Sequence, residues 1–390
     1  MLQNPIFNQN MNNNLSTQPA HIVWLDVLRF VAIFLMVCSH CTDPFNVSPA
    51  GRLNPDFNFW GSIYGSMLRP CVPLFAAITG LLLLPVKQET GPFYKKRILR
   101  VLVPFLIWSV VYNLFPWIVL SLGGSAEFIN SFFAYAANPS ADFSTALQNI
   151  ALIPIKFSDY TIHFWYIYML IGLYLYMPFF SAWVEKASEK TKRIFLAFWA
   201  VSLCLPYAHE YFTPYLFGAC SWNVFDTFYY FAGFNGYLLM GHYLKNGIKL
   251  STPKTLLLGI PLFVVGYLIT FFGFRAVTAN PEAAETQVEL FFTFCSINVA
   301  MMTFATFIII QKIRISSVFL QKILADLTKC GFGIYIIHYF FVGPCFSFTG
   351  MIGTPLYLQI PVAGILTFMA AWMVIRLIYC APKAAKWIVG

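Results

Sequence analysis

Long apolar runs, separated by short polar stretches, recur from one end of the chain to the other. About 20 successive apolar residues are enough to cross a bilayer as a helix. Ten such runs lie near residues 22–42, 61–84, 99–122, 162–181, 193–208, 224–244, 255–274, 289–311, 330–349 and 355–379. The pattern predicts an all-α integral membrane protein, a bundle of about ten transmembrane helices forming one domain over 22–380. The longest stretch outside these runs, 123–161, has apolar segments of its own and suits an interfacial helix.

The polar stretches are not alike in charge. Lys87, Lys95, Lys96, Arg97 and Arg100 follow the second run, and Lys186, Lys190, Lys192 and Arg193 follow the fourth. Basic residues also follow the sixth, eighth and tenth, so that 19 of the 24 lysines and arginines fall on one side of the predicted bundle. Cytoplasmic loops carry such an excess, so both termini are expected in the cytoplasm. Of residues 1–21, the first 20 are rich in Asn and Gln and hold no basic residue. They lack the basic start and apolar core of a secretory signal. They are expected to be a disordered cytoplasmic tail, with 381–390 as a cytoplasmic C-terminal tail.

Composition agrees with this picture. The chain is 59% hydrophobic and only 10% charged, against roughly 25% charged in soluble domains. The net charge of +9 is accounted for by topology and requires no nucleic-acid partner. The nine cysteines are scattered, mostly within apolar runs, and read as buried packing residues, as free cysteines usually are. A Cys204–Cys220 disulfide is the alternative for that pair. No spacing of Cys, His and carboxylates suggests a metal site.

Within the first run, "WLDVLRFVAIFLMVCSHC" at 24–41, an arginine and a histidine interrupt the apolar pattern. Arg29 and His40 are eleven residues apart, almost three helical turns, so they point within about 20° of each other and lie about 16 Å apart. Asp26 and Asp43 extend the stripe at spacings of three. The first helix therefore has one polar face, expected to line a cavity in the bundle. Ionisable groups in a membrane are costly and usually functional. An imidazole is also the usual general base. The alternative is that Arg29 snorkels or pairs with Asp26 and that His40 merely ends the helix.

A second feature is "YKKRILRVLVP" at 94–104, where Arg97 and Arg100, and Lys96 and Arg100, share a helix face. The cluster suits a phosphate-rich ligand or anionic headgroups, or plain positive-inside anchoring.

Five segments, in order, resemble acyltransferase family 3, membrane-embedded bacterial enzymes that acylate extracytoplasmic sugars. "WLDVLRFVAIFLMVCSH" is similar to the family's opening Leu-Asp-x-x-Arg helix with Arg-x10-His, and "CVPLFAAITGLLL" (71–83) to its Val-Pro-x-Phe and Ser-Gly segment, with Thr79 where Ser is usual before Gly80. "YKKRILRVLVP" resembles its Arg-x-x-Arg and following Pro. "HFWYIYMLIGLYLYMPFF" (163–180) and "GFGIYIIHYFF" (331–341) resemble its Trp/Tyr helix and late Tyr-x-x-His helix.

The resemblance implies transfer of an acyl group, most often acetyl, from acyl-coenzyme A to a sugar hydroxyl of a cell-envelope glycan or its lipid-linked precursor, in the bacterial inner membrane. Acetyl-CoA is then a co-substrate and no permanent cofactor is expected. Arg97, Arg100, Lys96 and Arg29 would hold the CoA phosphates at the cytoplasmic mouth. His40 would be the general base, oriented by Asp43, with an acyl-histidine as the competing route. Arg69, which lies in the second run before Pro70, His163, Tyr168 and His338 are candidates for stabilising the oxyanion. His163, Trp165, Tyr168 and His338 are also expected at the acceptor. On composition alone, an exporter of glycan or lipid is the rival reading, although the inverted repeats common in transporters are not visible.

Overall fold

The computed structural model describes residues 22–46, 48–133, 142–212, 225–245, 249–280 and 283–390. The N-terminal tail over 1–21 and Cys220 of the considered disulfide lie outside the described residues. Every regular element among the described residues is helical. The principal helices are α1 (Val23–Cys41), α2 (Pro55–Leu68), α3 (Cys71–Leu83), α4 (Thr90–Ser121), α5 (Trp165–Lys186), α6 (Glu189–Ser202), α7 (Asn235–Tyr243), α8 (Thr252–Thr278), α9 (Ile297–Ile310), α10 (Val318–Ile337), α11 (Tyr339–Met351) and α12 (Leu356–Ile378).

Among the described residues, six segments are long and apolar enough to cross a membrane: α1, α2 with α3, α4, the helical stretch Asp159–Lys186, α8 and α12. The pair α10 and α11 passes as a seventh span, bent by 85° at His338. These match seven of the ten apolar runs. The other three runs do not each form one long helix. The run near 193–208 ends its helix at Ser202 and resumes as Leu205–Phe212. That near 224–244 is split by Gly233, whose φ of +90° is open to glycine but costly for other residues. That near 289–311 keeps only the 14 residues of α9. In 123–161 the short helices Ala126–Phe132 and Phe143–Ala151 form, the interfacial helix expected there having two counterparts; residues 134–141 are outside the described set.

Helix α1 is the centre of the bundle, packed against α3, α10 and α12. Leu28, Ala32 and Val37 on it are fully buried. Glycines admit its neighbours: a Cβ on Gly331 of α10 would strike Ile33, and one on Gly364 of α12 would strike Cys38. Small residues let helix backbones approach closely where lipid supplies no hydrophobic drive. The tightest case is α3 against α7. A Cβ on Gly80 would run into the Leu238 carbonyl, and one on Gly241 into the Ala77 carbonyl. Here backbone meets backbone, so neither side can yield by a rotamer change.

At the chain's end, helix Pro382–Ile388 docks on α4, with Ala385 and Val389 buried and the Trp108 Nε1–H donating to the Ile388 carbonyl at 2.9 Å. Cys38, Cys41, Cys71 and Cys330 are buried as the sequence suggested, but Cys204 and Cys380 are exposed, because each lies just past the end of its helix.

The α3–α7 crossing predicts an asymmetry among glycines. Gly80→Leu and Gly241→Leu should each destabilise the fold by at least about 2 kcal/mol, as overpacking against an immovable neighbour does. Gly172→Ala, on α5 with open space around it, should be tolerated. Thermal melts of the three purified variants check this. Equal melting temperatures for Gly80→Leu and the parent chain would contradict the crossing.

Candidate functional site

The C-terminal end of α1 carries His40, the last but one residue of the helix. The chain turns at Thr42 and restarts as the short helix Asp43–Asn46. The helix thus does not continue through Asp43, yet Asp43 still reaches back. The His40 Nδ1–H donates to Asp43 Oδ2 at 2.9 Å, with the two side chains 19% and 15% exposed. A carboxylate accepts only, so the proton of neutral His40 is on Nδ1 and Nε2 keeps a free lone pair. This is the arrangement in which a carboxylate fixes the tautomer and orientation of a general base.

Two more histidines surround it. The His40 ring centroid is 5.2 Å from that of His338 and 6.5 Å from that of His163, and those two are 5.4 Å apart. Both are almost completely buried. His338 is the residue at the break between α10 and α11. His163 sits in the 3-10 turn Asp159–Phe164 that leads into α5. That turn is tied to α4 by Ser158, whose hydroxyl donates to Asn113 Oδ1 at 2.7 Å.

The break explains how these rings are held. Ending α10 frees carbonyls deep in an apolar bundle, where each unsatisfied group is costly. Side chains cover them. The Ile336 carbonyl accepts from Tyr112 Oη at 2.9 Å and from His163 Nε2 at 3.2 Å, and the Tyr335 carbonyl accepts from His338 Nδ1 at 2.7 Å. Tyr335 Oη in turn donates to the His163 carbonyl at 2.7 Å. A carbonyl cannot donate, so the protons of neutral His163 and His338 are on Nε2 and Nδ1. His163 Nδ1 and His338 Nε2 are left bare, buried and without a hydrogen-bond partner. Tyr339, directly after His338, stacks its ring on His163 at 4.8 Å and lies 5.6 Å from His40. Its buried hydroxyl is also unpartnered.

Of the residues singled out in the sequence, the fold therefore gathers His40, Asp43, His163 and His338. The others make contacts of their own. The polar stripe of α1 resolves into two local pairs, and at its far end Arg29 is held by Asp26 at 3.0 Å. Arg69 caps α2, its Nε–H donating to the Gly65 carbonyl and its guanidinium lying over Phe292 and Phe294 at 4.5 and 5.6 Å. This aromatic cover stabilises the intramembrane cation. Trp165 stacks on Phe294, and the Tyr168 hydroxyl donates to the Ile153 carbonyl. Lys96 and Arg100 are exposed and Arg97 half-buried at the N-terminal end of α4, with no ion pair to any described residue. Tyr112 and Tyr339 were missed by the sequence reading, and Tyr335 entered it only as the first position of the Tyr-x-x-His resemblance. Only its place beside His338 in "GIYIIHYFF" could have drawn notice to Tyr339, and 21 tyrosines in the chain dilute that signal.

Among the described residues, no three or more His, Cys, Asp or Glu are placed to hold a metal ion. The three imidazoles are instead a set of bases, one oriented by a carboxylate, at the end of a central helix. Comparison with curated proteins and with solved structures gave no match. A family model described as an acyltransferase domain matches residues 22–376. With His40, the basic cluster of α4, His163 and His338 all inside a match that spans nearly the whole sequence, the chain belongs to acyltransferase family 3.

Proposed function

We propose that this protein is a membrane O-acyltransferase that takes an acyl group, acetyl in the simplest case, from cytoplasmic acyl-CoA to a hydroxyl of a cell-envelope glycan or its lipid-linked precursor. The observation that carries the reading is the His40–Asp43 pair at 2.9 Å, set among buried histidines in an acyltransferase family 3 chain. Asp43 holds His40 with Nε2 free. That nitrogen takes the proton of the acceptor hydroxyl as its oxygen attacks the thioester carbon. The tetrahedral adduct expels the CoA thiolate, and His40 returns the proton to it. The same family membership weighs against export of glycan or lipid.

The donor enters from the side marked by basic residues. Arg97 and Arg100, with Lys96, grip the phosphates; phosphate contacts to charged donors are the strong class of hydrogen bond. Tyr112, whose ring lies 5.1 Å from that of His163, is twelve residues beyond Arg100 on α4, about 18 Å by helical rise. An extended pantetheine arm bridges such a gap. Arg29 lies at the same end of α1, and its pairing with Asp26 makes it a secondary contact. The bias of basic residues would place both termini in the cytoplasm and 43–60 outside, in a bacterial inner membrane.

Three outcomes are expected. Replacing His40 by Ala or Gln should lower acyl transfer by about 10²–10⁴, the usual loss on removing a general base, while the protein stays folded and still binds acetyl-CoA. Near-normal turnover would remove His40 from the base role. Combining Arg97→Ala with Arg100→Ala should weaken binding of CoA more than of dephospho-CoA, measured by titration of the purified protein. Equal binding to the parent and the double variant would leave the cluster as a membrane anchor. Finally, an engineered thiol at Lys95 should resist an impermeant reagent in intact cells, and one at Asn54 should react. The reverse pattern would invert the topology.

A further inference from the structure

The proposed reaction needs a hydrogen-bond donor for the thioester oxygen, which becomes an oxyanion when the acceptor attacks. Such donors are among the largest contributors to acyl transfer. Of the residues the sequence offered for this task, Tyr168 gives its hydroxyl to the Ile153 carbonyl, and Arg69 gives its Nε–H to the Gly65 carbonyl and lies over Phe292. His163 and His338 lie at the centre, but each spends its single N–H on a backbone carbonyl. A neutral imidazole so bonded has no proton left to give. His40 likewise spends its N–H on Asp43. The cluster therefore shows three bare lone pairs and lacks a donor among its imidazoles.

One side chain in contact with it has a donor to spare. Tyr339 is 2% exposed, its ring touches both His163 and His40, and its hydroxyl is buried with no partner among the described residues. A buried hydroxyl without a partner carries a desolvation cost that a core packed for stability alone would avoid. Tyr339 also lines a cavity of about 120 Å³ together with Pro44, the residue that follows Asp43.

We propose that Tyr339 is a catalytic residue that donates its hydroxyl hydrogen bond to the oxyanion formed at the thioester carbonyl. The proposal rests on the acyl-transfer reading of His40. As the acceptor oxygen bonds to the carbonyl carbon, its proton passes to His40 Nε2 and the carbonyl π electrons move onto oxygen, which accepts from Tyr339 Oη. When the carbonyl re-forms, the carbon–sulfur bond breaks, and the CoA thiolate leaves and takes the proton from His40. Tyr339 keeps its own proton throughout. The hydroxyl is thus unpartnered before reaction and partnered only when the oxyanion exists, the differential interaction that accelerates a step.

Tyr160 provides an internal control. Its hydroxyl is also buried and unpartnered, but its ring packs on Phe133, with no ring contact to the three imidazoles among the described residues. The experiment compares the parent chain with His40→Ala, Tyr339→Phe and Tyr160→Phe in inverted membrane vesicles that hold the native acceptor. The readouts are release of CoA from acetyl-CoA above vesicles lacking the protein, acetyl-CoA binding, and thermal stability of the purified chains. Tyr339→Phe should lower kcat by about 10²-fold, as loss of one oxyanion donor does, with acetyl-CoA binding and melting temperature unchanged. Tyr160→Phe should leave the rate intact. A Tyr339→Phe rate within about threefold of the parent, beside an inactive His40→Ala, would overturn the Tyr339 role and leave the general base standing. So would a loss of rate matched by Tyr160→Phe or by a fall in melting temperature. Full activity of His40→Ala would instead overturn the underlying reading.

Discussion

A broken helix inside an apolar bundle must have its loose backbone groups bonded by something, and this requirement organises the centre of the molecule. The chain bends by 85° at His338. No proline lies at the bend; Pro344 is more than a turn further on. What stabilises it is the set of side chains that take over the freed carbonyls. Tyr112 comes from α4, His163 from the turn before α5, and His338 from the bend itself. Each bond also fixes a ring. The bonds that make the break tolerable thus decide which imidazole nitrogens carry protons, and so which are free to act.

Two helices lead to this centre, and both have their basic residues at the other end. On α1 the interval from Arg29 to His40 is about 16 Å; on α4 the interval from Arg100 to Tyr112 is about 18 Å, both by helical rise. Each helix starts at its basic end; α1 finishes at the histidine cluster, and α4 passes it at Tyr112. The two intervals were set by different parts of the sequence, yet they agree to within a helical turn. That agreement fits a single extended ligand with a polyanionic head and a reactive tail.

The sequence made some of this legible and hid the rest for definable reasons. The α1 pattern was readable because it is local: helical spacing places Asp26, Arg29, His40 and Asp43 on one stripe, and i,i+3 pairing does bring both ends together. The gathering of His163 and His338 around His40 joins positions more than 120 residues apart, and no periodicity reports such a meeting. The surroundings of Arg69 were hidden because its aromatic neighbours, Phe292 and Phe294, are distant in sequence. The apolar runs and the long helices part where apolarity was taken for length. The run 224–244 is largely apolar, but Gly233 interrupts its helical structure. The bend at His338 had no proline or glycine to announce it.

A cluster of bases is useful to a catalyst only if it stays in register with what it acts on, and the placement of α1 bears on that. Ile33 and Cys38 are each pressed by a glycine from a neighbouring helix, Gly331 of α10 and Gly364 of α12. His40 lies half a turn beyond Cys38 and is carried by a helix gripped on two sides. His338 belongs to the end of the same α10 that contributes Gly331. Any shift of α10 along α1 would therefore move both the packing contacts and the His40–His338 distance of 5.2 Å. Residues held this way on rigid elements keep the sub-ångström placement that proton transfer needs. A transport path, by contrast, needs α1 and its neighbours to part. Close glycine contacts on both flanks oppose such parting, and they favour a fixed reaction centre reached by a mobile ligand.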